Sequence, residues 1–204
     1  MIQDITTPAP PTRGWRVVDI VVAAVLGVAC GLILFAWNGP GYAWYEAMNA
    51  VTPGLGGLAQ GIWLIGGPLG GLIIRRPGAA LFVELVAAIV SMLLGSSWGI
   101  STLLFGLAEG LGAELAFLIF AYSRFSLPIA MLSGVLAGAA EWASELLTGN
   151  MAKTFTFNAT YLVCNMISGA ILAGLLAWVL TRALARTGVL ARFPAGREAP
   201  HTEQ

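Results

Sequence analysis

Residues Ile100 to Tyr122 read ISTLLFGLAEGLGAELAFLIFAY, an apolar stretch that contains two glutamates and no lysine or arginine. A transmembrane helix needs about 20 predominantly apolar residues to cross the hydrocarbon core of a bilayer, so this stretch is long enough to span. Because a carboxylate in the bilayer interior is costly, such residues usually face a bundle interior or a water-filled cavity. The stretch therefore predicts a spanning helix that turns Glu109 and Glu114 away from lipid.

The rest of the chain is apolar to a similar degree. Its 204 residues are 58% hydrophobic and 10% charged, with a mean hydropathy of +0.84, whereas roughly a quarter of the residues in an average soluble domain are charged. This composition indicates an integral, multi-pass protein of the cell membrane. The formal net charge of zero argues against a nucleic-acid partner, which would require a basic patch.

Six stretches are predicted to span the membrane, and short connections rich in Gly and Pro separate most of them. We therefore expect an all-α fold, with six transmembrane helices in one bundle. The longest connection, Asn38 to Gly54, contains Tyr42, Trp44 and Tyr45, and is either an aromatic belt or a short interfacial helix over the mouth of the bundle. The predicted spans are Val17 to Trp37, Leu55 to Ile74, Ala79 to Leu94, Ile100 to Tyr122, Leu127 to Leu147 and Phe157 to Leu180.

The basic residues predict the orientation, because Lys and Arg next to spans stay on the cytoplasmic side. Only Lys153 falls on the other side, so both termini are expected in the cytoplasm. Residues 1–16 are predicted to be a disordered head, 17–186 the membrane domain and 187–204 a flexible tail. The cytoplasmic set is Arg13, Arg16, Arg75, Arg76, Arg124, Arg182, Arg186, Arg192 and Arg197.

The polar residues of three spans fall at similar depths. At a rise of 1.5 Å per residue, Glu109 lies roughly 13 Å, Glu141 roughly 9 Å and Asn165 roughly 12 Å from the outer ends of their helices. Glu84 and Glu114 lie deeper, and Glu145 lies near the surface. This layer predicts an outward cavity lined by carboxylates and amides. The alternative is that each group is structural, as a protonated Glu bonded to a carbonyl or as an Asn that joins two helices.

Several chemistries lack their residues in this sequence. The one histidine, His201, lies in the predicted tail, so zinc sites built on histidine and Ser-His-Asp triads are not expected. No G-x-x-x-x-G-K-[ST] motif is present, so any ATP hydrolysis would belong to another subunit. We predict neither enzymatic activity nor a metal or cofactor. Cys30 and Cys164 are most simply apolar packing residues.

Four segments resemble the YkoE family, the substrate-binding (S) components of energy-coupling-factor (ECF) vitamin transporters. The resemblance covers nearly all six spans and is most specific from Ile73 to Phe120. It implies an external site for thiamin or its hydroxymethylpyrimidine precursor, together with a transmembrane coupling subunit and two ATPase domains as partners. The segments are Arg16-Val-Val-Asp-Ile20, Ile73-Ile-Arg-Arg-Pro-Gly-Ala-Ala-Leu81, Glu84-Leu85 and Gly110-Leu-Gly-Ala-Glu-Leu115.

The resemblance also bears on small residues of the first span. Ala23, Gly27 and Gly31 recur every four residues, a spacing that lets two membrane helices approach closely. This stripe serves either packing inside the bundle or contact with a partner's helix. Family membership implies the second role, contact with the coupling subunit.

Thiamin carries a permanently positive thiazolium and a flat aminopyrimidine, so carboxylates, amides and aromatic faces are the groups expected to bind it. The alternatives are a stand-alone cation- or proton-coupled transporter that uses the same glutamates, and a membrane scaffold in which they are dispensable. The predicted substrate-binding residues are Glu84, Glu109, Glu114, Glu141, Asn165, Tyr161, Trp37, Trp63, Trp98 and Trp142.

Overall fold

The computed structural model describes residues 14–197, and throughout this range the regular structure is helical. Two 3-10 segments, Leu55–Ile62 and Asn150–Ala152, interrupt the α-helices, and a π-helical turn, Gly169–Leu175, joins the sixth helix to the seventh. The α-helices are α1 (Val17–Val51), α2 (Gly66–Ile74), α3 (Ala79–Leu93), α4 (Ser101–Ile119), α5 (Leu127–Thr148), α6 (Phe155–Ser168), α7 (Leu176–Arg186) and α8 (Pro194–Arg197).

Five helical runs are long and apolar enough to cross a membrane, and α3 is a shorter apolar helix. These six elements coincide with the six predicted spans, including the short third one, and they confirm the all-α membrane bundle. The five long runs are Val17–Val51, Leu55–Ile74, Ser101–Ile119, Leu127–Thr148 and Phe155–Arg186.

Helix α1 continues through the connection for which the sequence left open an aromatic belt or a short interfacial helix. Its 35 residues, with Pro40 inside, extend for about 52 Å at 1.5 Å per residue, beyond the roughly 30 Å hydrocarbon core. Side-chain contacts hold the end of the helix to the bundle. The rings of Tyr45 and Tyr161 meet edge to face, and Asn49 Oδ1 accepts hydrogen bonds from the N–H groups of Gly54 and Gly56. Of the two alternatives for this connection, the separate interfacial helix is therefore not formed.

The small-residue stripe of α1 packs inside the bundle, against α3. Ala23 is fully buried. A Cβ added to Gly27 would lie 2.6 Å from Val86 Cβ, and one added to Gly31 would lie 2.6 Å from Val90 Cβ. In the isolated chain, α3 therefore covers Gly27 and Gly31, which favours internal packing. The contact of Ala23, Gly27 and Gly31 with a coupling subunit stays a prediction.

The glycine-rich second span packs closely on α6. The N–H of Gly61 donates to Ser168 Oγ at 2.8 Å, and that hydroxyl donates to the carbonyl of Leu58 at 2.7 Å. A Cβ on Gly61 would approach the Ser168 carbonyl oxygen to 2.4 Å. The 3-10 segment therefore lies against the α6 backbone, which brings the side chain of Gln60 into the bundle.

The described parts of both predicted termini are packed. Trp15 Nε1 donates to the carbonyl of Pro77 at 2.9 Å. Arg16 forms a 2.6 Å ion pair with Asp19. The hydrogen bond between these two side chains raises the pKa of the Arg16 guanidinium. Beyond α7, Leu190 and Phe193 are only 4% and 3% exposed, because these apolar side chains join the core. Residues 187–197, the described part of the predicted tail, are therefore attached to the core through these side chains, whereas 1–13 and 198–204, with Arg13 and His201, lie outside the described range.

Candidate functional site

A cavity lies at the end of the bundle where α3 ends and α4 begins. Arg16, Arg75 and Arg76 lie at the other end, where α1 begins and α2 ends. The cavity is lined by Leu34, Asn38, Gln60, Trp63, Ala88, Ser91, Ser96, Trp98, Thr102, Phe105, Glu109, Glu141 and Glu145.

Three carboxylates and no basic side chain are among these lining residues. Glu109 comes from α4, whereas Glu141 and Glu145 lie one turn apart on α5. Both helices pack closely, since a Cβ on Gly112 would lie 2.4 Å from the Leu136 carbonyl oxygen, and this fixes the relative positions of the acids. Glu109 and Glu141 are only 5% and 4% exposed. The cavity therefore has an acidic wall with little access to water.

Two neighbouring buried groups, Glu141 on this wall and Asn165 behind it, have unpaired polar atoms. Glu141 Oε2 has no hydrogen-bond partner of normal geometry, and neither has either polar atom of the fully buried Asn165 amide. The Asn165 amide is nevertheless near enough to stabilise the Glu141 carboxylate. A buried polar group without a partner costs about 1–3 kcal/mol, so native structures rarely keep one unless it serves a function. The pair is therefore suited to hold the polar edge of a ligand.

Glu145 is better supplied with partners. Asn150 Nδ2 donates to its Oε2 at 3.2 Å, and Lys153 and the Tyr161 hydroxyl also act on its carboxylate. Tyr161 is fully buried behind the wall, where it also accepts a hydrogen bond from Gln60 Nε2. Tyr161 therefore positions two lining side chains and is not itself a lining residue.

Aromatic rings form the opposite side of the cavity. Trp63 and Trp98 line it, with ring centroids 5.8 Å apart, and Trp63 Nε1 donates to Asn38 Oδ1 at 2.9 Å. Trp37 lies behind Trp63, 6.3 Å away. Tyr42, near the end of α1, contacts Trp98 edge to face at 6.1 Å. Flat faces and carboxylates thus meet across one space, an arrangement that suits a flat cation.

Glu84 lies beneath the cavity floor, one helical turn before the lining residue Ala88. It is fully buried. The N–H of Gly67 donates to its Oε2 at 2.6 Å, whereas its Oε1 has no partner. The carboxylate acts electrostatically on Glu109. Glu84 therefore belongs to the surroundings of the acidic wall and does not contact the cavity directly.

The structure places two of the predicted site residues away from the cavity. Glu114 accepts hydrogen bonds at the N-terminus of α3, from the N–H groups of Gly78 at 2.6 Å and Ala80 at 2.8 Å, so its carboxylate caps that helix. Trp142 Nε1 donates to the carbonyl of Asn158 at 3.1 Å and joins α5 to α6. We therefore assign both residues to the framework, which corrects the sequence-based expectation.

Several lining residues were missed by the sequence reasoning. Gln60 could have been found, because it is the one polar side chain within the apolar stretch from Leu55 to Ile74. Asn38 was read as part of a helix break, although α1 continues and its Nδ2 lies 3.5 Å from Ser91 Oγ. Ser96 and Thr102, joined by a 3.1 Å hydrogen bond, gave no signal because such residues are common at helix ends. Within residues 14–197, no group of three or more His, Cys, Asp or Glu side chains is placed to hold a metal ion.

Comparisons with known proteins agree on one family. Residues 18–140 match the family model described as "ABC-type cobalt transport system, permease component". The chain is 35% identical over 189 residues to the HMP/thiamine permease protein YkoE of Bacillus subtilis (strain 168), which covers 91% of this chain and 92% of that protein. It also superimposes on the crystal structure of an S-component of an ECF transporter with a TM-score of 0.77 at 32% identity, covering 91% of this chain and 93% of that one.

Proposed function

Because this chain belongs to the YkoE-like S components of ECF transporters, which are multi-pass membrane proteins and not enzymes, we propose that it captures thiamin or its hydroxymethylpyrimidine precursor for an ATP-driven importer. The observation that carries this proposal is the cavity at the α3–α4 end. It combines an acidic wall and aromatic side chains, and an unpaired buried amide, Asn165, lies next to the wall residue Glu141.

The chemistry of thiamin matches this set of groups. The thiazolium carries a permanent positive charge, which the carboxylates of Glu109 and Glu141 offset. The aminopyrimidine offers donor and acceptor nitrogens, and Asn165 beside Glu141 can satisfy both kinds. Trp63 and Trp98 hold a ring through stacking and cation–π attraction, which contributes about 0.5 to 2 kcal/mol.

The distribution of basic residues supports an outward-facing cavity. Arg16, Arg75 and Arg76 lie at the end of the bundle away from the cavity, and basic residues beside spans stay in the cytoplasm. We therefore place the cavity on the outer side and both termini on the inner side. Import then requires a change of access driven by other subunits, because this chain has no P-loop motif. A transmembrane coupling subunit and ATPase subunits supply that step.

The binding test is a titration of the purified full chain with thiamin and, separately, with hydroxymethylpyrimidine, followed by tryptophan fluorescence and by calorimetry. We expect saturable binding that changes the emission of Trp63 and Trp98. Trp63→Phe should lose much of that change, whereas Trp178→Phe, at a ring that packs against Arg182, should keep it. The absence of a saturable response to either compound would overturn the proposal.

The energy source is tested in proteoliposomes. We expect thiamin uptake only when the coupling and ATPase subunits are reconstituted together with this chain and ATP is supplied. Uptake by this chain alone, driven by a proton gradient, would favour the alternative of a stand-alone transporter that uses the same glutamates.

A further inference from the structure

The acids in and beneath the cavity act on one another across three helices, α3, α4 and α5. The carboxylate of Glu109 lies within electrostatic range of Glu84 and Glu145, and that of Glu141 lies within range of all three. Buried charges of one sign repel strongly in a medium of low dielectric constant, and carboxyl groups that share a site do not all ionise. In the absence of a cation, some of these groups therefore hold protons as neutral acids.

Hydrogen-bond partners single out two of the four groups as proton carriers. The carboxylate of Glu145 is stabilised by Asn150, Tyr161 and Lys153. One oxygen of Glu84 accepts the N–H of Gly67, and Glu84 lies below the floor. Glu109 and Glu141 line the cavity, and apart from the neighbouring Asn165 no donor compensates a negative charge on Glu141. A negative charge on Glu109, for which no hydrogen-bond donor is found, or on Glu141 is thus the least compensated among the four.

We propose that a cationic ligand enters this cavity in exchange for a proton, which leaves the carboxyl group of Glu109 or Glu141. The O–H bond of that acid breaks, its electron pair stays on the carboxylate that faces the cation, and the proton passes to water or buffer at the mouth. The net charge of the cavity therefore does not change on binding. A neutral ligand of the same shape binds without this exchange. The inference rests on the proposed function and selects thiamin over its neutral precursor as the ligand that the acidic wall fits.

The other titratable groups around the cluster do not compete for this role. From α1, Cys30 faces Glu84, and Tyr45 faces Glu145 and Glu46. From α6, Tyr161 faces Glu145 and Glu141. Thiols and phenols give up protons at higher pH than carboxylic acids do, so the exchanged proton comes from a carboxyl group.

The direction of the pH dependence follows from this exchange. As the pH rises, a larger fraction of the protein already has this carboxyl group ionised before the ligand binds. Fewer protons then have to be displaced per bound ligand. Affinity for the cation should therefore increase, by up to about tenfold per pH unit for one linked proton, and then level off. Affinity for a neutral ligand should not increase with pH.

The test is isothermal titration calorimetry of the full chain in two buffers that differ in ionisation enthalpy. Binding of thiamin should make the protein release up to about one proton per bound ligand near neutral pH, and the measured heat should therefore depend on the buffer. Binding of hydroxymethylpyrimidine, which shares the aminopyrimidine ring but lacks the thiazolium, should cause no proton release from the protein. Glu109→Gln or Glu141→Gln should reduce the release and flatten the pH dependence, whereas Glu46→Gln, at an exposed position on α1, should leave both unchanged.

Each other outcome counts against a distinct claim. Saturable thiamin binding with the same heat in both buffers would overturn the proton exchange and leave the proposed function standing. Equal proton release with both compounds would show that the release depends on the aminopyrimidine ring that they share and not on the thiazolium cation. This result would also overturn the proposed proton exchange. If neither compound binds, the proposed function fails and the inference fails with it. If a Gln variant does not fold, the buffer comparison on the unaltered chain still decides.

Discussion

The side chain of Glu141 on α5 lies beside the amide of Asn165 on α6, and the two present three unpaired polar atoms between them in a buried position. Gly138, one turn before Glu141, makes this approach possible, because a Cβ there would lie 2.6 Å from the Asn165 carbonyl oxygen. The helices thus come close enough for the two side chains to meet. Such an arrangement lowers the stability of the ligand-free protein, because each buried polar group without a partner is unfavourable. A ligand that forms hydrogen bonds with these groups removes that cost, so the same groups favour binding.

The first prediction concerns the opposite effects of Asn165 on stability and on ligand binding. Asn165→Leu removes two unpaired buried atoms and keeps a similar volume, so the ligand-free protein should melt at the same temperature or higher. Thiamin binding should weaken by about tenfold or more, from the loss of about 1.4 kcal/mol or more. Thermal unfolding in detergent and calorimetric titration measure the two effects.

Asn158→Leu is the matched control on the same face of α6. Its Nδ2 donates to the carbonyl of Asn150 at 2.9 Å, so the change should lower the melting temperature. If Asn165→Leu destabilised the protein as strongly as Asn158→Leu and left binding intact, Asn165 would be a framework residue.

The second prediction concerns the positioning role of Tyr161. Tyr161→Phe keeps the ring but removes the hydroxyl that Gln60 and Glu145 share. Thiamin affinity should fall by roughly fivefold, equivalent to about 1 kcal/mol for one net hydrogen bond, because both lining groups lose their orientation. Tyr42→Phe, on a side chain that is about half exposed, should have a smaller effect. Identical affinities for the Tyr161 variant and the unaltered chain would exclude the positioning role.

The third prediction separates Glu114 from the binding site. Glu114→Ala leaves the N–H groups of Gly78, Ala80 and Leu81 without their acceptor. The protein should lose about 1–3 kcal/mol of stability, while the folded fraction binds thiamin with unchanged affinity. Glu46→Ala, at an exposed position, should cost little stability. A selective loss of binding in the Glu114 variant would return this residue to the site.

The fourth prediction concerns the packing of α1 on α3. Gly31→Val places side-chain atoms where Val90 Cβ and the Ala87 carbonyl oxygen already lie within 2.8 Å of the added Cβ. Overpacking of this kind costs about 1–3 kcal/mol or more, so the isolated chain should unfold at a lower temperature. Val25→Leu, on the exposed face of α1, is the control and should be neutral.

Stability in the absence of any partner is the deciding measurement for this last variant. An isolated Gly31→Val chain as stable as the unaltered one, but unable to assemble with a coupling subunit, would show that the stripe contacts the partner and not α3.

The candidate site was predictable in part. Depth along the helices was sufficient to place Glu109 and Glu141 in one layer, and both line the cavity. Depth placed Glu114 below that layer, and the family resemblance suggested it for the site. Its role in the structure depends on the α3 N-terminus packing against α4, which neither depth nor resemblance reveals. Gln60 and Asn38 were missed, since one lies in a 3-10 segment and the other in a segment read as a break. Their inward orientation arises from contacts with residues more than twenty positions away.

The sequence by itself determined the class of the protein, the number of spans and the need to compensate intramembrane acids. These follow from hydrophobicity, length and charge, which are local properties that the bilayer imposes on each segment separately. Only the tertiary structure decided which acids share a cavity, that α1 runs on past Pro40, and that Gly27 and Gly31 pack against α3. Those outcomes depend on how closely helices approach and how they are rotated, which is set by steric fit between residues far apart in the chain.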